Sequence, residues 1–280
     1  MSQPLTRPTS PPVVPRLPST VRLGLSRAAI ETKMFFRERD AVIFTFSFPI
    51  IMLVLFGSIF ADDLEGTGLN VSQVYVAGLI GAAAMTGFQN LGISIAVERD
   101  DGTLKRLAGT PLPRTAYFMG KALNTLFISF CQVVILLAIG VMLFDLELPS
   151  ETSVWATFTW VFVLGVLGSS LLGVAISSLP RSSKSATAVI VMPFVVLQFI
   201  SGVFIPITRL PSWLVNISSL FPLKWMCQGF RSVFLGDAGA TLELAKSYEL
   251  DRVALLLGAW VIGGLVLCLM TFRWKSRRDH

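Results

Sequence analysis

Charge is scarce in this sequence. Of its 280 residues only 14% are Asp, Glu, Lys or Arg, against about a quarter in a soluble globular domain, which leaves too little charge to clothe a water-facing surface. Histidine is all but missing: His280, the last residue, stands alone, so a histidine-based catalytic triad and a histidine metal cluster are excluded. The three cysteines, Cys131, Cys227 and Cys268, form no CxxC pair, and neither a disulfide framework nor a zinc site has support. They read as small buried hydrophobes. No GxxxxGK[ST] loop occurs either, since Gly120 and Lys121 are followed by Ala122 and lack the upstream glycine. A chain without that loop is not expected to bind ATP by itself.

Apolar residues are abundant instead, at 53% of the chain, with a mean hydropathy of +0.71. A hydrocarbon core of about 30 Å takes about 20 apolar helical residues to cross. Six stretches qualify, at about 41–61, 74–97, 118–143, 154–178, 185–205 and 253–272. The short alternating segments of a membrane β-barrel are absent. The sequence therefore predicts an all-α integral membrane protein with six transmembrane helices. The first forty residues hold no early apolar core, so no cleavable signal peptide is expected and the first span directs insertion. Residues 1–19, rich in Pro, Ser and Thr, are expected to form a disordered cytoplasmic tail.

The positive charges are unevenly placed. Seven of the 23 Lys and Arg precede Asp40, four lie in 98–114, two (Arg181 and Lys184) lie between spans four and five, and four follow Phe272. The short loops 62–73 and 145–153 hold none, and carry Asp62, Asp63, Glu65, Asp145, Glu147 and Glu151. By the positive-inside rule both termini and the 98–114 loop face the cytoplasm, which makes this a multi-pass protein of the cell (inner or plasma) membrane. Five further basic residues in 206–252 belong to a long segment, which weighs little in that rule. Attraction to anionic lipid accounts for the cytoplasmic basic clusters, and no nucleic-acid partner is expected.

Two segments are apolar without being spans. In 20–40, Val21, Leu25, Ala28, Thr32, Phe35 and Phe36 share one charge-free helical stripe, with Arg22, Arg27, Glu31, Lys33 and Arg37 elsewhere. That pattern predicts an amphipathic helix lying on the cytoplasmic membrane surface. In 206–240, Lys224 and Arg231 oppose a crossing, because one basic residue at a span centre costs about 2.5 to 3.5 kcal/mol. An outer helical hairpin between spans five and six is expected instead, divided at Pro222. Its apolar faces are Trp213, Leu214, Ile217 and Leu220 on one arm and Leu223, Met226, Phe230 and Phe234 on the other. Whether it dips into the outer leaflet or caps the surface is open at this point.

The six stretches contain no Asp or Glu, so a proton relay at membrane depth is not expected. Their polarity is neutral: Gln89, Asn90, Asn124, Gln132 and Gln198 either line a substrate path or hydrogen-bond between helices.

Between spans two and three stands ERDDGTLKRLAGTPLPR. Gly102 ends the incoming helix, and Pro111 with Pro113 bars continuation beyond the loop. TLKRLAG can form about two turns, with Leu104 and Leu107 on one face and Lys105 and Arg106 beside them. A helix below about 12 residues is marginal alone. It must dock against something.

The run ERDDGTLKRLAGTPLPRTAYFMGK resembles the pattern E-R-E-x-G-T-L-x-x-L-x-x-T-P-L, then Gly-Lys, of permease subunits of type-2 ATP-binding-cassette (ABC) exporters, the daunorubicin-resistance and nodulation export group. RERDAVIFTFSFPIIMLVLFGSIF resembles that family's first span, and SGVFIPITRLPSWLVNISSLFPLKWMCQGFR its span-five exit and outer hairpin. The likeness reaches from about Arg37 to Arg231. Asp100 stands where the family usually has Glu, Lys105 where an acidic residue is frequent, and Gln228 where an acidic residue often precedes the arginine.

The resemblance implies a coupling helix in 98–114, seated in a groove of a separate ABC ATPase subunit. Glu98, Arg99, Gly102, Thr103, Leu104, Leu107, Thr110, Pro111 and Leu112 match the motif and become the candidate interface. It also implies two ATPase copies and a second permease subunit, in a homo- or heterodimer, with ATP and magnesium held by the ATPase and no cofactor in this chain. The expected role is non-enzymatic: the permease of an exporter for a drug, antibiotic or lipid, because the predicted walls are apolar and carry no fixed charge. Glycan export within the same family and a non-transporting scaffold or sensor are the rival readings. A membrane-embedded enzyme would lack an intramembrane acid or histidine.

Overall fold

The structure is a computed structural model that describes residues 18–60, 63–64 and 68–271. Nearly all of the N-terminal tail, the acids Asp62 and Glu65, and the basic residues after Phe272 lie outside the described residues. The order of elements is α1 (Thr20–Arg37), α2 (Arg39–Ile59), β1 (Asp63–Leu64), β2 (Leu69–Asn70), α3 (Val71–Ala84), α4 (Thr86–Asp100), α5 (Thr103–Ala108) and α6 (Arg114–Leu143). There follow α7 (Thr152–Ile176), α8 (Ser183–Ile200), a 3-10 turn at Ile207–Arg209, α9 (Ser212–Ser218), α10 (Pro222–Phe234), α11 (Gly236–Ala240) and α12 (Leu250–Thr271). β1 and β2 are a two-residue antiparallel pair, and the rest of the regular structure is helical. Among the described residues, six segments are long and apolar enough to cross a membrane: α2, the α3–α4 pair, α6, α7, α8 and α12. The protein is an all-α integral membrane protein, and its spans match the sequence reading to within a few residues.

The second span departs from the continuous helix expected at 74–97. It is broken at Met85 into α3 and α4. Backbone groups freed by a break inside a membrane must find partners within the protein, and here neutral side chains gather at the gap. Thr86 Oγ1 lies 2.7 Å from the Ala83 carbonyl and 2.7 Å from Gln132 Oε1. Gln132 Nε2 in turn donates to the Thr45 carbonyl of α2 at 2.8 Å. Gln132 thus ties α6 to α2 and to the break.

α3 is the buried axis of the fold, enclosed from Tyr75 to Ala84. Its glycines allow backbone to approach: a Cβ on Gly81 would stand 3.2 Å from the Cys227 backbone, and one on Gly78 3.2 Å from that of Val203. Cys227 belongs to α10, which packs between α3, α7 and α12. Pro222 opens this helix at a position where its missing N–H costs nothing. Thirteen residues extend only about 20 Å, too short to cross, yet nearly every residue of α10 is buried. The hairpin segment is divided at Pro222 into α9 and α10, and α10 is inserted among the spans.

Insertion also buries Lys224, Gln228 and Arg231, which the sequence reading left on the outer side. Each has a local partner, although Arg231 Nη2 is buried without one. Arg231 Nε is 2.6 Å from Glu243 Oε1, and its Nη1 donates to the Gly202 carbonyl at 3.2 Å. Gln228 Nε2 donates to the Tyr248 carbonyl, and Lys224 Nζ to Ser219 Oγ, both at 2.8 Å. Glu243 supplies the carboxylate that the chain lacks at Gln228.

α1 buries a face that carries two charged residues. Its inward face carries Gly24, Arg27, Ala28 and Glu31 and lies along α6, where Gly120 brings a would-be Cβ within 3.1 Å of the Ala28 nitrogen. Val21, Leu25 and Phe36 are 60%, 55% and 46% exposed. The two charged residues turn inward because α4 and α6 present complementary charges to them.

Candidate functional site

Those charges form a cluster at the end of the bundle that carries α5. Lys121 Nζ, from α6, lies 2.6 Å from Glu98 Oε1 of α4 and 2.9 Å from Glu31 Oε2 of α1, and 2.7 Å from Ser94 Oγ. Arg27 Nη2 pairs with Glu31 Oε1 at 2.5 Å. The Tyr117 hydroxyl donates to Glu98 Oε2 at 2.6 Å, and its ring lies under both cations, 5.7 Å from Arg27 and 5.8 Å from Lys121. Buried ions persist only when paired and hydrogen-bonded, and each member here has at least one such contact.

The next two residues after Glu98 make separate ties. Arg99 Nη1 donates to the Ser177 carbonyl at the end of α7, at 2.6 Å. Asp100 Oδ2 accepts the Ser183 N–H at the start of α8, at 2.9 Å. Three consecutive side chains therefore fasten the foot of α4 to α6, α7 and α8. The chain then turns at Gly102, whose φ of +78° is left-handed and suits glycine. Asp101 Oδ1 accepts the Thr103 N–H at 2.8 Å across this turn.

α5 is the short helix expected at TLKRLAG, and its seat is within its own chain. Leu104 is 1% exposed, packed with Leu91, Ile95, Tyr117, Val174 and Cys268, while Leu107 and Leu112 are half-buried beside it. Lys105, Arg106, Thr110 and Pro111 are exposed, and Gly102 and Thr103 are intermediate. The candidate interface residues thus fall into two sets. Glu98, Arg99 and Leu104 are spent holding the loop to the bundle, and Thr110 and Pro111 stand at its outer surface beside the two basic residues.

Behind α5 lies a cavity of about 470 Å³ between α1, α2, α4 and α6. Asn90 and Asn124 line it; Asn124 Oδ1 also accepts from Thr32 Oγ1 at 2.8 Å. Gln132 serves the helix break described above, Gln198 is buried in α8, and Gln89 is half-buried in α4. The neutral polar residues are therefore not brought together as one path. Nor are the walls free of fixed charge: Arg27, Glu31, Glu38, Glu98, Asp101 and Lys121 all line the cavity. Lys121 is the one charged residue in 118–143, a signal legible in the sequence. Glu31 on an amphipathic helix reads as surface, and nothing local marks it otherwise.

Residues 28–235 match the family described as ABC-2 type transporter. Relatives include the transport permease ycf38 of Cyanophora paradoxa, 28% identical over 80% of this chain and 77% of that protein. YadH of Escherichia coli K12, named an inner membrane transport permease, is 25% identical over 67% of this chain and 74% of its own length. YbhR of the same strain, named a probable multidrug ABC transporter permease, is 28% identical over 52% of this chain and 39% of its own length. The chain belongs to the ABC-2 type transporter family. It is a membrane-embedded permease subunit of an ABC transporter, a class that associates with an ABC ATPase and is not itself the ATPase.

Proposed function

We propose that this chain is the permease of an ATP-driven exporter and that α5 is its point of attachment to a separate ATPase subunit. Two permeases, identical or paired with a second type, would work with two ATPase subunits that hold ATP and magnesium. The observation that carries the reading is the two-sided build of the loop: one side anchored by Glu98, Arg99, Asp100 and Leu104, the other presenting Lys105, Arg106, Thr110 and Pro111. An anchored helix with a solvent-exposed outer face passes a push from outside into α4, and α4 forms one wall of the cavity. Both termini and α5 face the cytoplasm in this reading, as the basic residues favour, and cargo leaves on the opposite side. A hydrophobic or amphipathic cargo fits the mixed lining, and YbhR carries a multidrug name. Phe35 is the one aromatic ring on that lining, which offers a glycan little to stack on. The test is reconstitution with an ABC ATPase that co-purifies with the chain: ATP-dependent efflux from cells or uptake into inside-out vesicles supports the reading, and cargo moving uphill without any ATPase defeats it.

A further inference from the structure

Resting on that reading, we propose that the cavity between α1, α2, α4 and α6 is a binding site for a cationic amphiphile of drug size. Its charges do not balance. Glu31, Glu38, Glu98 and Asp101 line it against Arg27 and Lys121. Both cations are committed to Glu31 and Glu98. That leaves the carboxylates of Glu38 and Asp101. Glu38 is in no ion pair among the described residues, and Asp101 meets only the backbone N–H of Thr103. Both line the cavity at exposed positions.

The lining changes character with depth. Along α4 it runs from Asp101 back to Thr86, about 22 Å of helix. Met34, Phe35, Leu91 and Ile93 supply apolar wall, and Thr125, beside Gly87 of α4, continues along α6 into Ile128 and Ser129. Ser129 is 1% exposed, and its Oγ has no hydrogen-bond partner. A buried hydroxyl without a partner lies in want of one, and this one lines the cavity. Surplus acid at exposed positions, apolar walls, and a buried polar atom left unsatisfied match a molecule with a cationic head, an apolar body and one polar group. The volume of about 470 Å³ lies within the range of about 300 to 1,000 Å³ typical of small-molecule sites. An anion would meet the surplus carboxylates and be repelled.

Tetraphenylphosphonium and tetraphenylborate have nearly the same shape and opposite charge, so they separate this site from general greasiness. The full chain in phosphatidylcholine nanodiscs should bind tetraphenylphosphonium saturably above empty nanodiscs, and should not bind tetraphenylborate so. Glu38→Gln combined with Asp101→Asn, both at exposed positions that leave the buried cluster intact, should weaken the cation by about tenfold or more. Equal saturable binding of the two ions, or an unchanged cation affinity in the double variant, overturns the proposal. Binding is read on the permease alone, so a failure here leaves attachment to an ATPase standing, and a failure of attachment leaves this site standing.

Discussion

Lys121 holds Glu98 at 2.6 Å and is itself 2% exposed, so one cation from α6 clamps the last turn of α4. Removing one member of a buried pair leaves the other uncompensated, at a cost of about 3 to 5 kcal/mol. Lys121→Met should therefore lower stability by about 3 kcal/mol, seen as a fall in the unfolding midpoint of the detergent-solubilised chain. Adding Glu98→Gln should restore more than half of the loss, because the stranded charge is gone. A double variant no more stable than the single one would show that the two residues are not coupled.

The two sides of α5 should fail in different ways. Leu104→Asp places a carboxylate in an apolar pocket at 1% exposure, and burying an unpaired charge costs several kcal/mol. The variant should express poorly and melt early, whether or not an ATPase is present. Lys105→Glu with Arg106→Glu alters only exposed positions. It should insert and melt like the parent while losing co-purification with the ATPase and ATP-dependent transport. Normal transport in the charge-reversed variant would remove that face from the coupling.

The contrast shows how far sequence alone reached. Six spans, the Gly102 turn, the two-turn helix and the division at Pro222 are local matters of apolar run length, glycine and proline chemistry, and they were legible. The inward face of α1 was not. Arg27 and Glu31 fall off the charge-free stripe and read as surface until α6 supplies Lys121 and α4 supplies Glu98, from 90 and 67 positions away in the chain. The break at Met85 was equally hidden, because neither glycine nor proline makes it. Its partners, Gln132 and Thr45, come from two other helices. Leu104 illustrates the remaining gap: periodicity shows that a leucine must be covered, and only tertiary structure shows that its own chain covers it.

Close packing of α4 on α7 makes Gly173 and Gly258 opposite cases. A Cβ at Gly173 would stand 2.5 Å from the Phe88 carbonyl oxygen, a backbone atom that cannot swing aside, whereas one at Gly258 meets nothing within 4 Å. Overpacking of that kind costs about 1 to 3 kcal/mol, and relieving a helical glycine at an open position gains about 0.5 to 1 kcal/mol. Gly173→Ala should lower the unfolding midpoint and Gly258→Ala should hold or raise it. Equal behaviour of the two variants would mean that α4 and α7 do not approach as closely as described.

Cys227 reports on the insertion of α10. The thiol sits against Gly81 and points at the Gly78 carbonyl, 3.6 Å away, and burial pushes its pKa up to about 12. Near pH 8 the thiolate fraction is then about 10⁻⁴, against about a quarter for an unperturbed thiol. N-ethylmaleimide should leave Cys227 unlabelled in the folded chain and label it on denaturation, read by mass spectrometry of the peptide. The same shift fixes a sign for stability. Between about pH 8.5, where an unfolded thiol titrates, and about 12, the unfolded state binds fewer protons than the folded one, so stability falls as pH rises through that window. Below it the contribution is fully present. A Cys227→Ser variant, whose hydroxyl does not titrate there, should lose that part of the alkaline slope. Rapid labelling of native Cys227 at neutral pH, with the chain otherwise folded, would place α10 at the surface rather than among α3, α7 and α12.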